Sequence, residues 1–289
     1  MTNLTKKANT FWGVPFPDDL QAFHVFACKN SKLLEALELV VAGPLAFLAR
    51  GKSPEEARFY DDPPEFVTVL SGLMDGLHWG YWFDAPGELE PVVVSYFAND
   101  AFELSAHGTS LFEAVREHLE ALHHDAEQYL IEDPDAADDY RARLESYARA
   151  RVALEKSFPL KRKEVGQKYL DRYRYKRKFI APTRSRIGVV VPPKQYRPLE
   201  KKDPFERWNY KPTAAQVKRM VEKVELPGTA LKLGHDLWTA QEHRAASVAL
   251  LDRAYGQLGR DVLSSQLKKA TAWRARCDAR KEQKNNPAR

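Results

Sequence analysis

Phe66-Val67-Thr68-Val69-Leu70, then Leu77-His78-Trp79-Gly80-Tyr81-Trp82-Phe83, then Pro91-Val92-Val93-Val94-Ser95-Tyr96-Phe97 decide the fold. Short runs rich in β-branched and aromatic residues read as strands. Asp84-Ala85-Pro86-Gly87 is a strong turn signal between the second run and the third. Phe102-Glu103-Leu104-Ser105 predicts a short fourth strand. Connections this short join neighbours, so the sheet should be antiparallel. Immediately upstream lies Arg58-Phe59-Tyr60-Asp61-Asp62-Pro63-Pro64-Glu65-Phe66. Pro-Pro fits neither a helix interior nor a central ladder, which makes this run a rigid, extended lead-in. Its aromatics and acids suit a fixed recognition edge, with Asp61, Asp62 and Glu65 expected to fix a turn and the sheet edge.

Helices flank these strands. Phe16-Pro17-Asp18-Asp19-Leu20 opens one, with Leu20, Phe23, His24 and Phe26 at helical spacing. Leu33 to Leu48 reads as helix or strand leading into a turn at Gly43-Pro44. Ser110 begins a helix over 111–130, with Glu113 set for a capping box. An acidic linker, 132–139, precedes a charged helix over 140–158. Residues 161–186 are densely basic, with Tyr169, Tyr173, Tyr175 and Phe179 interleaved. Ile187 to Val191 reads as a buried strand stopped by Pro192-Pro193, and 201–211 as irregular. Helices are predicted over 213–224, 233–258 and 261–277. The fold class is therefore α+β: an N-terminal antiparallel-sheet domain over 11–131, then a mainly helical C-terminal domain over 140–277. Residues 278–289 should form a disordered tail.

The chain has 289 residues and only two cysteines, Cys28 and Cys277, which gives neither a disulfide framework nor a metal spacing. That points to a reducing, intracellular compartment. Met1 to Thr10 is polar and lacks the apolar stretch of a signal peptide, and no segment is long and apolar enough to span a membrane. The net charge of +5 hides a split of about −15 over residues 1–150 and about +20 over 151–289. The halves should attract each other and meet different partners. His123-His124 with Asp125 could bind a metal, but a charged helix face accounts for them. His78 and His107 read as structural, and His235 with Asp236 as a core or helix-start pair. No Ser-His-Asp set, Gly-rich phosphate loop or Cys/His cluster has convincing spacing, so no metal or cofactor is expected on this chain alone.

Several blocks in order resemble the histone PARylation factor family. The Arg58–Phe66 run is similar to the family's aromatic, Asp-Pro-Pro-Glu-Phe run. Gly80-Tyr81-Trp82-Phe83-Asp84-Ala85-Pro86 is similar to its glycine, aromatic, acid and proline turn. Phe16-Pro17-Asp18-Asp19-Leu20 and Val41-Ala42-Gly43-Pro44 match upstream. Gly188-Val189-Val190-Val191-Pro192 followed by Tyr196-Arg197 matches downstream, as does Leu231-Lys232-Leu233-Gly234-His235-Asp236-Leu237-Trp238 with His243 beyond it. The likeness runs over about residues 14 to 267.

The resemblance implies an accessory factor of DNA-break-sensing ADP-ribosyltransferases (poly(ADP-ribose) polymerases), not a stand-alone enzyme. Such a factor docks on the transferase and lends a carboxylate that deprotonates an acceptor serine, on histones or other proteins. NAD would be bound by the partner. Tyr196 and Arg197 match the partner-docking pair. The glutamate should precede the Leu-Gly-Asp-Leu block, where the nearest candidates are Glu222 and Glu225. Glu225 is one position off an ungapped match, and the segment from Arg197 to Leu231 is shorter than in the family. The ordinary alternative is that Tyr196 caps a core edge while Arg197, Glu222 and Glu225 are solvated. Two other readings stand beside the accessory role. Residues 161–186 have the charge and aromatics of a nucleic-acid-binding module. The Pro-Asp-Asp-Leu helix start and the aromatic turn are also similar to SUKH-type bacterial immunity domains, which are scaffolds without catalysis. High Ala and Arg content suggests a GC-rich bacterial gene; the chain would be cytoplasmic if bacterial and nuclear if eukaryotic.

Overall fold

The computed structural model describes residues 4–50, 58–100, 102–158, 180–207 and 209–285. Three helices come first: α1 (Leu4–Trp12), α2 (Asp19–Lys29) and α3 (Ser31–Ala36). α1 was not predicted. Its segment is polar apart from a stripe, and Leu4, Ala8 and Trp12 bury that stripe at four-residue spacing. The 33–48 segment, left open as helix or strand, divides: after α3 it gives strand β1 (Leu39–Val41) and helix α4 (Gly43–Arg50). The expected turn at Gly43-Pro44 is instead the first turn of α4, where proline's missing N–H costs nothing.

The sheet then runs as predicted through β2 (Phe66–Gly72), β3 (Leu77–Trp82) and β4 (Val92–Phe97). β5 covers Ser105–Gly108, so the predicted fourth strand is displaced. Phe102 has φ 58°, outside the strand region, and the Leu104 N–H donates to Ser185 O instead of a neighbouring strand. All five strands pair antiparallel in the order β1-β2-β3-β4-β5. Phe66 pairs with Trp82, and Trp79 with Ser95. Gly80 is required where it stands: a Cβ there would lie 2.2 Å from Val67 O.

α5 (Leu111–Glu132) and α6 (Ala137–Ser157) follow, linked by a single 3-10 turn at Pro134–Ala136 where an acidic linker was expected. The Ser110 hydroxyl caps α5 by accepting from the Phe112 N–H at 3.2 Å. α5, α6, α2 and α3 cover one sheet face, with Phe23, Phe112, Trp79, Tyr81, Leu119 and Tyr147 in that core. Phe66, Trp82, Val94, Tyr96, Phe102 and Ile187 form a second core on the other face. Burial on both faces explains why the strands read as continuous apolar runs.

The C-terminal half is mainly helical, as expected. Strands β6 (Ile180–Ala181) and β7 (Val189–Val190) make a two-residue ribbon, shorter than the strand read at 187–191. Most of the basic segment, 161–179, lies outside the described residues. α7 (Ala214–Glu222) starts with a Thr213/Gln216 capping box. The single helix predicted over 233–258 is two, α8 (Pro227–Thr239) and α9 (Arg244–Gln257). Gln241 and His243, at φ 55° and 51°, turn the chain between them. α10 (Asp261–Asn285) carries through 278–285, the first part of the expected disordered tail, and 286–289 lie outside the described residues. These helices bury Leu231, Leu237, Trp238, Leu251, Tyr255 and Leu267 in a third core.

Candidate functional site

The halves meet on the Arg58–Phe66 run, and that seam fixes where the C-terminal helices stand. Asp62 serves the sheet edge: it accepts from Thr68 Oγ1 at 2.7 Å, the Phe59 N–H at 3.3 Å and the Tyr96 hydroxyl. Asp61 and Glu65 instead reach the helices, beyond the turn-fixing role expected of them. Glu65 accepts from Tyr255 of α9 and lies 2.7 Å from His235 Nε2 of α8. Asp61 accepts from Arg274 of α10 at 2.9 Å, and its carbonyl from the Trp238 indole at 3.0 Å. Burial opposes charge on Asp62 and Glu65. Even so, His78 and Arg58 pull Asp62 below the ordinary carboxylate pKa, and His235 with Tyr255 pull Glu65 below it. His235 and His78 are thus seam residues.

With α8 anchored, its outer end builds a cavity of about 250 Å³. Tyr196, Arg197, Leu199, Phe205, Met220 and Leu233 line it, with Thr229, Lys232, Asp203 and Asp236 as polar lining. Lys232 is ion-paired to Asp203 at 2.5 Å and also to Asp236. Asp236 additionally accepts from the Arg184 N–H at 2.8 Å. Burial dominates at Asp236 and raises its pKa despite Lys232, while the two aspartates raise that of Lys232 against the effect of its own burial. Tyr196 is half-buried and Arg197 exposed. The Thr229 hydroxyl donates to Arg197 O at 2.7 Å, and the Arg197 N–H donates back to it at 3.1 Å. Gly228 permits that approach: a Cβ there would lie 2.6 Å from Gln195 O.

The two candidate glutamates part company. Glu225 is exposed in the lead-in to α8, four residues before the Thr229 that clasps Arg197. Arg253 of α9 donates to Val224 O at 3.2 Å and Glu225 O at 3.4 Å, tying that lead-in down. Glu222, also exposed, ends α7 and borders a different groove with Lys218, His243 and Arg244. Neither glutamate lines the Tyr196–Arg197 cavity itself. Among the described residues no group of three or more His, Cys, Asp or Glu could hold a metal ion.

One arrangement escaped sequence reasoning. Ser95 Oγ lies 2.7 Å from His107 Nε2, and His107 Nδ1 lies 2.9 Å from Glu117 Oε2. The order resembles a hydrolytic triad. Ser95, however, is 6% exposed in a strand paired on both edges, so the chain of bonds ties the sheet to α5. Only folding brings the three residues together, and spacing along the chain carries no trace of it.

Comparison with known proteins places these blocks in one family. The family profile described as Histone PARylation factor 1 matches residues 3–274. A Bos taurus protein named Histone PARylation factor 1 is 26% identical, over 96% of this chain and 88% of its own length. A Danio rerio protein of the same name is 25% identical, over 94% and 86% respectively.

Proposed function

This chain belongs to the histone PARylation factor 1 family, and on that premise we propose that it is an accessory factor of a protein ADP-ribosyltransferase. It docks through the cavity at Tyr196 and Arg197 and presents Glu225 to the acceptor. The observation that supports this reading is the Arg197–Thr229 clasp, which holds Arg197 against the first turn of α8, four residues past Glu225 in the chain. A half-buried tyrosine beside an exposed guanidinium suits a partner surface with an apolar side chain and a carboxylate.

The chemistry needs little else from this chain. A serine hydroxyl is a poor nucleophile at neutral pH, so a carboxylate within hydrogen-bond reach takes its proton as the oxygen attacks the ribose carbon. Nicotinamide leaves from NAD held by the transferase. Glu225 is exposed and four residues before the Thr229 of the clasp, so it can enter a partner's active site once docked. Glu222 borders a separate groove and is the weaker candidate.

Docking and chemistry separate experimentally. Pull-down by a transferase from the same genome should fail with Y196A/R197A and persist with E225A. Serine-linked ADP-ribose should disappear with both. Persistence of docking in Y196A/R197A would refute the docking surface, and an inactive wild type with every such transferase would refute the accessory role.

A further inference from the structure

We infer that the outer face of α10 binds the phosphate backbone of duplex nucleic acid. Lys269, Trp273, Arg276 and Arg280 stand at i, i+4, i+7 and i+11, within about 60° of arc at 3.6 residues per turn. The guanidinium carbons of Arg276 and Arg280 lie 5.5 and 5.9 Å from the Trp273 ring centroid. Both arginines are exposed and the indole between them is half-buried. The inward face of the helix is accounted for by Leu263, Leu267 and Ala270, and by Arg274 at 3.8 Å from the Trp238 ring. Arg276 and Arg280 of this cationic stripe therefore lie off the packed face of the helix.

Charge segregation makes the stripe more than a solvated helix. The acids of residues 273–285 are Asp278 and Glu282. They fall about 140° and 180° round the helix from Trp273. Asp278 is engaged elsewhere, accepting from the Tyr60 hydroxyl at 2.6 Å and lying 3.9 Å from Arg244. Lys269 ties the stripe to α1, donating to Phe11 O at 3.1 Å and lying 5.4 Å from the Phe11 ring, and α1 carries exposed Lys6 and Lys7. Lys269 to Arg280 spans about 16 Å along the axis, at 1.5 Å per residue. One strand of a duplex offers a phosphate every ~3.4 Å of axis. Planar guanidinia held on an indole match phosphate in pairs and have less rotamer freedom to lose. With their ring face occupied, they read charge and spacing and not base identity. This surface is separate from the Tyr196–Arg197 cavity and does not depend on the accessory role.

The test is fluorescence anisotropy of the full chain with a labelled 20-base-pair duplex at 50 and 200 mM salt. R276A/R280A should weaken binding at least tenfold at 50 mM. It should also flatten the dependence of log affinity on log salt by about 1.8, at ~0.9 per phosphate contact. R276K/R280K, which keeps the charges, should keep the wild-type slope. The inference is overturned if wild type does not bind at 50 mM. It is equally overturned if R276A/R280A matches wild type in affinity and slope, or if phosphatidylserine vesicles are bound and the duplex is not.

Discussion

The seam at Arg58–Phe66 and the cavity at Tyr196–Arg197 handle buried charge in opposite ways. At the seam, Asp62 and Glu65 sit among His78, Arg58, His235 and the Tyr96 and Tyr255 hydroxyls, and their pKa values fall. At the cavity, burial outweighs the one ammonium that Asp236 shares with Asp203, and the pKa of Asp236 rises. Compensated charge of the first kind fixes one arrangement of two halves. The cavity is lined by residues of the 196–206 segment together with Met220 of α7 and Thr229, Lys232, Leu233 and Asp236 of α8, and Arg197 is exposed. The seam therefore carries stability, and under the proposed function the cavity carries recognition.

Glu65→Ala should have the largest effect. It strands His235 and Tyr255 in the core, and stability should drop by about 3–5 kcal/mol in urea denaturation. R197A, at an exposed cavity position, should stay within about 0.5 kcal/mol of wild type. Equal losses would erase the distinction. G228A should come next. The added methyl meets Gln195 O, which costs about 1–3 kcal/mol and shifts the Arg197 segment, so partner pull-down should weaken beyond what the stability change explains.

pH separates the two sites by sign. A depressed carboxylate contributes stability above its unfolded pKa, and that contribution is lost as pH falls through the folded value. For Asp62 and Glu65 the loss should set in below the ordinary values of 3.8 and 4.5. D62N/E65Q should accordingly flatten the acid limb of urea midpoints between pH 7 and 3. Asp236 runs the other way: its raised pKa makes the folded state take a proton first, which opposes acid unfolding. D236N should therefore steepen the same limb. The smallest effect is expected from R253A, about 1 kcal/mol or less in stability, seen mainly as weaker co-catalysis through a loosened Glu225 lead-in.

The sequence showed the sheet far better than the site. Val67 to Leu70 and Val92 to Val94 are buried on both faces, so apolar content alone marks them. Leu4, Ala8 and Trp12 form a stripe too sparse to announce α1. The break between α8 and α9 depends on left-handed Gln241 and His243, held through Pro212 and Asp61, residues distant in the chain. Tyr196 and Arg197 were found by resemblance, and no period or spacing singles them out. Glu225 is separated from Glu222 by long-range contacts, Thr229 on Arg197 and Arg253 on the Val224 and Glu225 carbonyls, which no linear motif encodes.

Whether Glu225 is the general base is tested by measuring serine-linked ADP-ribose on a histone peptide. A partner transferase would be saturated with wild type, E225Q or E222Q, so that docking does not limit the result. Wild type and E222Q should support serine modification, and E225Q should lower its rate by about 10²-fold or more, since a general base typically contributes 10²–10⁴-fold. Full activity with E225Q at saturation would contradict the account.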